Sequence, residues 1–446
     1  MAYSALDGKN NQNDVIIILP IIFMAFLLHQ SSVIFGVNLS LSDLFCIVIF
    51  FLLLNRNQLY IPTVPFVFFL TISILVLMTA LILVPRQFMY TPEPAKVLAD
   101  YIKLGAVFVY FLIGYNLDKL KLLKKTLSYY SFSGIGIGLL GIGLTFLNIQ
   151  SLTEFLYFAG IRYKGLMIDP NYFSVLQVTA FVFISRSAAI KARYKWLALF
   201  IIVLSILVSG SKTGLLTLFI YLAFRLAEYI FLTRKRAGAL IMQMIVFVLV
   251  LAASPIIFGI VNQLLLQAVS SIPSLERLQF LFTDFNQAFS ESGSGRNTTW
   301  EVAVQIIQAS PVFGIGIGTY SNLAYELFDS YNVSHNTFLQ LLAEWGILAA
   351  SLFFAAVFSM LGKVTFSYES QSETTIVLRD ILLILLIGSL AISLNNARFF
   401  WLCLGALISS LQLKYESRKA INKVNGIEGN TNEKNCTGSH AINNTF

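Results

Sequence analysis

Val64-Pro-Phe-Val-Phe-Phe-Leu-Thr-Ile-Ser-Ile-Leu-Val-Leu-Met-Thr-Ala-Leu-Ile-Leu-Val84 runs for twenty-one residues without a charge. About 20 apolar residues wound as a helix cover the hydrocarbon core of a bilayer, so the stretch predicts a membrane-crossing helix. Comparable apolar runs recur from end to end. Hydrophobic residues make up 57% of the 446-residue chain and charged residues only 12%, against roughly 25% in soluble domains. The chain therefore reads as an all-α polytopic membrane protein, because helices satisfy every backbone polar group within the lipid. No length is left for a separate soluble catalytic domain.

Hydropathy places spans near residues 15–28, 37–54, 64–84, 97–116, 127–149, 172–185, 196–209, 214–232, 238–261, 336–362, 376–394 and 398–413, about twelve helices in all. The expected organisation is a single integral membrane domain over 1–413 and a disordered cytoplasmic tail over 414–446, rich in Asn, Lys and Gly. Lysines and arginines test the topology independently. One set of connections, with both chain ends, carries 20 of them, among them Arg56, Lys119 to Lys125, Arg186 to Lys195, Arg234 to Arg236, Lys363 and Arg379. The opposite set carries 8: Arg86, Lys96, Arg162, Lys164, Lys212, Arg277, Arg296 and Arg398. Positive charge stays on the cytoplasmic side, so both termini are assigned there. The net charge of +8 is then topology and contact with anionic membrane lipids rather than nucleic-acid binding.

The opposite face carries one large outer loop, 262–334. A loop of that length is usually functional or disordered, and its Leu278, Phe280, Phe282, Trp300 and Ile307 predict folded, partly interfacial helices. Two Gly-x-Gly-x-Gly runs stand out. Gly134-Ile-Gly-Ile-Gly138 lies inside a span, where glycine lets helices approach closely. Gly314-Ile-Gly-Ile-Gly318 lies in the outer loop after Pro311, where glycine permits a sharp turn or close backbone approach to a ligand. Cys46, Cys403 and Cys436 show no disulfide or metal spacing. His29 and His440 do not pair with His335 as ligands, so no metal or cofactor is expected.

Unusual polar residues gather at the outer ends of the spans. Arg162 and Lys164 precede Asp169-Pro-Asn171; Ser209-Gly-Ser-Lys212 joins two spans; Arg296 follows a Gly-Ser-rich stretch; His335-Asn336 and Arg398 each open a span. Five basic groups and a histidine on one side of a membrane suggest an anionic ligand in that leaflet. Plainer readings exist for each. Asp169-Pro170 can be an N-cap followed by proline in the first turn, and Lys212 can snorkel to the headgroups. The Gly-Ser-Lys-Thr-Gly stretch lacks phosphate-loop spacing and faces away from cytoplasmic nucleotide, which excludes ATP binding. A lone histidine at a helix start can be a cap or an interfacial residue. At a helix N-terminus, however, the dipole disfavours imidazolium and unpaired N–H groups favour phosphate. A neutral His335 there suits the base for a hydroxyl that attacks a carbon bearing a phosphate leaving group.

Arg296-x3-Trp300, Pro311-x2-Gly-Ile-Gly-Ile-Gly318 and His335-Asn-Thr-Phe-Leu-Gln-Leu-Leu-Ala-Glu-Trp-Gly346 together resemble the O-antigen ligase/polymerase family. Arg162-x6-Asp-Pro-Asn171, Ser209-Gly-Ser-Lys212, the twelve-span plan and the single outer loop fit as well. The resemblance implies a glycosyltransferase on the outer face of the bacterial cytoplasmic membrane. It implies an undecaprenyl-diphosphate-linked oligosaccharide as donor, with a chain-length regulator protein as a candidate partner. It implies a base-like role for His335 and places the diphosphate on Arg162 and Arg296, with Lys212 and Arg398 behind them and Asn336, Asp169 and Asn171 supporting. The ligase pattern of the family ends on Gly, Thr or Tyr where this chain has Ala349, and the arginine-x10-glycine pattern of some polymerases fails at both Arg162 and Arg296. The expected activity is polymerisation of lipid-linked repeat units, as an O-antigen, exopolysaccharide or capsule polymerase. The alternatives are ligation of the glycan to lipid A-core and flipping of the lipid-linked glycan. A flippase should carry charges deep in several spans, and Asp43, Lys103 and Arg225 are the main candidates.

Overall fold

The computed structural model describes residues 16–34, 37–147, 150–231, 296–330 and 333–416, with isolated positions between 256 and 278. Most of the ninth expected span, the Gly-Ser stretch before Arg296 and the tail beyond 416 lie outside these residues. Among the described residues, five helices are long and apolar enough to cross a membrane: Thr63–Phe88, Pro94–Lys119, Leu123–Leu147, Lys212–Ile230 and Thr337–Phe366. Ile16–Leu27 and Leu41–Asn55 are shorter and equally apolar. Large apolar side chains lie bare on the outer helices, with Val64 80% and Phe200 61% exposed. Soluble proteins seldom expose such continuous apolar surface. The fold fits a multi-pass membrane protein.

The interior is built round Pro170–Arg186, whose residues are buried on every face from Phe173 to Ile184. A helix apolar all round belongs at the centre of a bundle. It packs against Leu123–Leu147, Ala192–Val208, Lys212–Phe231 and Glu373–Gly388. Glycine makes one contact intimate: a Cβ on Gly138 would meet the Ser205 side chain at 2.9 Å, so small residues do let these two helices approach.

Sequence reading underestimated the charge inside the bundle. Arg186 and Arg379, which it placed among the cytoplasmic connections, are buried with Glu228 and Asp380 in a closed network. Arg186 Nη2 lies 2.5 Å from Glu228 and 2.7 Å from Asp380, and Arg379 Nη2 lies 2.5 and 2.6 Å from the same two carboxylates. Arg225 joins at the more exposed edge, 3.6 Å from Glu228, and the mutual pairing of opposite charges makes the burial tolerable. Helical periodicity could not show it, because the four residues come from three separate helices.

Two small hairpins depart from an all-helical reading. Ser32–Ile34 pairs antiparallel with Val37–Leu39, so the expected span at 37–54 starts instead at Leu41. There Ser40 and Asp43 form a capping box. Tyr157–Phe158 pairs with Arg162–Tyr163 across a tight turn in which Ala159 and Gly160 both have positive φ, the backbone that hairpin twist favours. The last helix runs over 398–416, a few residues past the boundary expected from hydropathy.

Gly314-Ile-Gly-Ile-Gly318 makes the sharp turns expected of it, all three glycines having positive φ, and Gly314 and Gly316 lie against protein backbone. Thr337–Phe366 breaks at Gly346, whose φ is 79°. The break releases the carbonyls of Ala343 and Glu344, and these accept from the N–H groups of Ile315 (2.8 Å) and Gly316 (3.0 Å). The freed N–H of Ile347 donates to Pro311 O at 2.8 Å. A second irregularity, the π turn Thr79–Leu83, is met by the same segment, with Ile317 N–H donating to Val76 O at 3.3 Å. Buried backbone groups need partners, and one loop supplies them to two distorted helices. Side chains would not fit: a Cβ on Gly316 would sit 2.4 Å from Val76 O, and one on Gly314 2.5 Å from Ala343 O.

Candidate functional site

The hairpin and the Asp169-Pro170 turn bring the first candidates together. Asp169 is an N-cap, its Oδ1 accepting from the N–H groups of Asn171 (2.7 Å) and Tyr172 (3.1 Å), with Pro170 opening the helix. The plainer reading of Asp169 therefore holds as far as it goes. Asn171 Oδ1 accepts from Arg162 Nη2 at 3.0 Å and from Ser211 Oγ at 2.9 Å. Arg162 Nε also donates to Ser209 O at 3.2 Å. Arg162 is 7% exposed, so its guanidinium is braced from two elements rather than free to swing. Lys212 follows Ser211 at the start of Lys212–Phe231, half-buried.

His335 enters from the other side. Capping of Thr337–Phe366 falls to Asn336, whose Oδ1 accepts from Phe338 N–H at 2.9 Å and Leu339 N–H at 3.2 Å. His335 is thereby relieved of that duty. It sits just before the cap with φ 48°, a left-handed conformation that non-glycine residues rarely hold outside turns and functional sites. Flanking bonds fix the segment: Ser334 Oγ donates to Asn336 O and to Gln340 Oε1, and Thr337 bonds Ser389 O and Ile392 O. Arg296 opens Arg296–Ala309. Thr299 of that helix reaches Ser334 O with its hydroxyl at 3.4 Å, which holds Arg296 beside the histidine.

Electrostatics show the same convergence. His335 is exposed yet loses enough water for its pKa to fall below the ordinary 6.5. The Arg296 charge pushes the same way, and Asp169 opposes. Arg296, His335, Asp169, Asn171 and Arg162 thus form one continuous group. A neutral imidazole near Arg296 can accept a proton beside an anion. Among the described residues, no group of three or more His, Cys, Asp or Glu is placed to hold a metal.

Arg398 stands a step away. Its fork closes on Asp43, Nε to Oδ1 at 2.5 Å and Nη2 to Oδ2 at 2.7 Å, with Tyr110 donating to the same carboxylate. The intraspan charges that sequence singled out are likewise partnered: Lys103 with Asp100 at 2.7 Å, and Arg225 with Glu228 at 3.6 Å.

Val333, two residues before His335, is part of the wall of a cavity of about 680 Å³. Tyr172, the neighbour of Asn171, is another part, and Gln340 and Glu344 of Thr337–Phe366 reach it from below. Sequence reading missed this chamber. Its signal was Glu344, a carboxylate set two residues before the Gly346 break in an otherwise apolar span, and an ionisable group in such a place is by default a functional candidate.

Residues 197–354 match the family model described as O-antigen ligase. The match supports assigning the chain to the O-antigen ligase/polymerase family. Its span takes in Ser209 to Lys212, Arg296, His335, Asn336 and Glu344, and stops short of Arg162 and Arg398. No curated protein matches the chain. An O-antigen ligase/polymerase-type function follows at that level, with lipid-linked glycans and membrane lipids as what such a family handles.

Proposed function

We propose that this protein is a membrane glycosyltransferase that polymerises undecaprenyl-diphosphate-linked oligosaccharide repeat units on the outer face of the bacterial cytoplasmic membrane. The observation that carries the reading is that Thr299, on the helix that Arg296 opens, bonds the backbone beside His335, while Arg162 is held on Asn171, next to the Asp169 cap. A hydroxyl of the acceptor sugar attacks the anomeric carbon of the donor. The new C–O bond forms as the bond to the diphosphate breaks, His335 takes the hydroxyl proton, and undecaprenyl diphosphate departs with the electron pair. Arg162 and Arg296 stabilise that departing charge, which guanidinium forks do well, and the N-termini of Pro170–Arg186 and Thr337–Phe366 add their dipoles.

Ligation to lipid A-core is the second reading, favoured by the description of the matched family. Flipping is less well supported, because Asp43, Lys103 and Arg225 have internal partners and leave no open ladder of charge. Purified protein in liposomes with a lipid-linked repeat unit and no energy source separates the three. Longer chains support polymerisation. Transfer only when lipid A-core is added points to ligation, and translocation without new bonds points to a flippase.

The topology proposed with this function has both termini in the cytoplasm and the 296–328 helices outside. Glu326 is exposed on Tyr320–Phe328. Glu326→Cys, in a chain with Cys436→Ser, is expected to react with a membrane-impermeant thiol reagent on intact spheroplasts. Labelling that requires permeabilised membranes would reverse the orientation, and the outer-face chemistry with it.

A further inference from the structure

The cavity that Val333 helps to wall is lined by groups of a particular kind. Gln340 donates to Glu344 Oε1 at 2.5 Å, Asp100 and Lys103 pair across 2.7 Å, and Asn395 adds a carboxamide. Lys96, the other wall cation, is spent on Asn322 Oδ1 at 2.8 Å. The wall has no arginine among its described residues, so it lacks the guanidinium forks that suit a diphosphate. Two wall hydroxyls, of Tyr320 and Ser393, are incomplete. Tyr320 is 3% exposed and its hydroxyl has no hydrogen-bond partner. Burial raises its pKa, so the hydroxyl stays protonated as a donor. An orphaned buried hydroxyl costs stability, and a cavity that keeps one is built for something that completes it.

We propose that this cavity is a saccharide subsite, in which Glu344, Gln340, Tyr320 and Asn395 hold the hydroxyls of an uncharged sugar of the reacting glycan next to His335. The proposal rests on the glycosyl-transfer reading and adds a division of labour to it. Diphosphate goes to the arginines, and sugar goes to the carboxylate-and-carboxamide chamber. Sugar hydroxyls donate to carboxylate and amide oxygens and accept from Tyr320. The volume, about 680 Å³, falls within the roughly 300–1,000 Å³ of small-ligand pockets. The Gly346 break belongs to the same device, because it lets the Gly314–Gly318 loop pack under Glu344 and turns one helix wall into the floor of the chamber.

Two probes on the detergent-solubilised full-length protein test it: undecaprenyl diphosphate without sugar, and the lipid-free oligosaccharide released from the producing cells' lipid-linked pool. Tyr320→Phe removes an oxygen that bonds nothing in the protein, so thermal stability should hold or rise. Oligosaccharide binding should weaken about three- to tenfold, the worth of one neutral hydrogen bond. Glu344→Ala, which removes both oxygens of its group, should weaken it at least about threefold. Both variants should bind undecaprenyl diphosphate as the wild type does. Oligosaccharide affinity unchanged in a stable Tyr320→Phe protein and in Glu344→Ala overturns the subsite. So does wild-type protein that binds the diphosphate and elongates chains but never binds the oligosaccharide. Wild-type protein that forms no glycosidic bond in liposomes would instead remove the transferase reading beneath it.

Discussion

Arg162→Lys is expected to slow polymer formation between about tenfold and a hundredfold while leaving membrane levels unchanged. Charge is kept and geometry is lost. The guanidinium is buried and fixed by two bonds, Nε to Ser209 O and Nη2 to Asn171 Oδ1, so its plane is set before any ligand arrives. Arginine offers five donors in a rigid fork, whereas an ammonium is a point charge on a flexible stem. Lysine at this position cannot make both braces and also face a diphosphate. A hydrogen bond to a charged group is worth about 1.5–3 kcal/mol, and 1.4 kcal/mol is a factor of ten. Arg296→Lys should act in the same direction, since Arg296 lies close enough to His335 to shift its titration. The measurement is chain elongation in proteoliposomes, with undecaprenyl diphosphate binding alongside. Normal elongation in Arg162→Lys would reduce that residue to a strut between the hairpin and the Ser209–Lys212 turn.

The bundle was legible because membrane helices announce themselves by composition. Val64 to Val84 carries no charge, and the structure sets it inside Thr63–Phe88. The candidate site stood out for a different reason: cations are scarce in outer connections, so Arg162 and Arg296 drew notice there, with Asp169 and Asn171 near Arg162 in sequence and His335 at the start of a span. What sequence could not supply was pairing across helices. Nothing in the spacing of Asp43 and Arg398, separated by most of the chain, tells that one fork closes on the other. The buried Arg186, Glu228, Arg379 and Asp380 network was hidden in the same way. The outer glycine run was legible as a turn, and its neighbours were not. Glycine in a loop signals close approach, but not to what, and here the neighbours are the carbonyls left open by a kink and a π turn. Glu344 was visible and was read as part of an apolar helix, because its importance lies in the cavity that the kink creates.

Removing the imidazole should cost most of all. His335→Ala is expected to lower the rate of chain elongation by about a hundredfold to ten-thousandfold, the usual contribution of general acid–base catalysis. Membrane levels and donor binding should be retained, because the cap of Thr337–Phe366 belongs to Asn336 and His335 is exposed. His335→Asn serves as the conformational control, since asparagine tolerates the left-handed backbone that φ 48° demands. It should be as inactive as the alanine variant. The pH profile separates chemistry from structure. The base must be unprotonated, so activity should fall on the acid side as His335 gains a proton, with a midpoint below 6.5 because burial and Arg296 both disfavour the cation. Arg296→Gln removes one of those causes and should move the midpoint of its residual activity upward. Asp169→Asn keeps an N-cap but removes the charge that favours the imidazolium, so its midpoint should move downward. Opposite shifts from two residues that act on one ring are what a base at His335 requires, and an interfacial anchor would produce neither. Wild-type elongation by a well-expressed His335→Asn protein would end the assignment of His335 as the base.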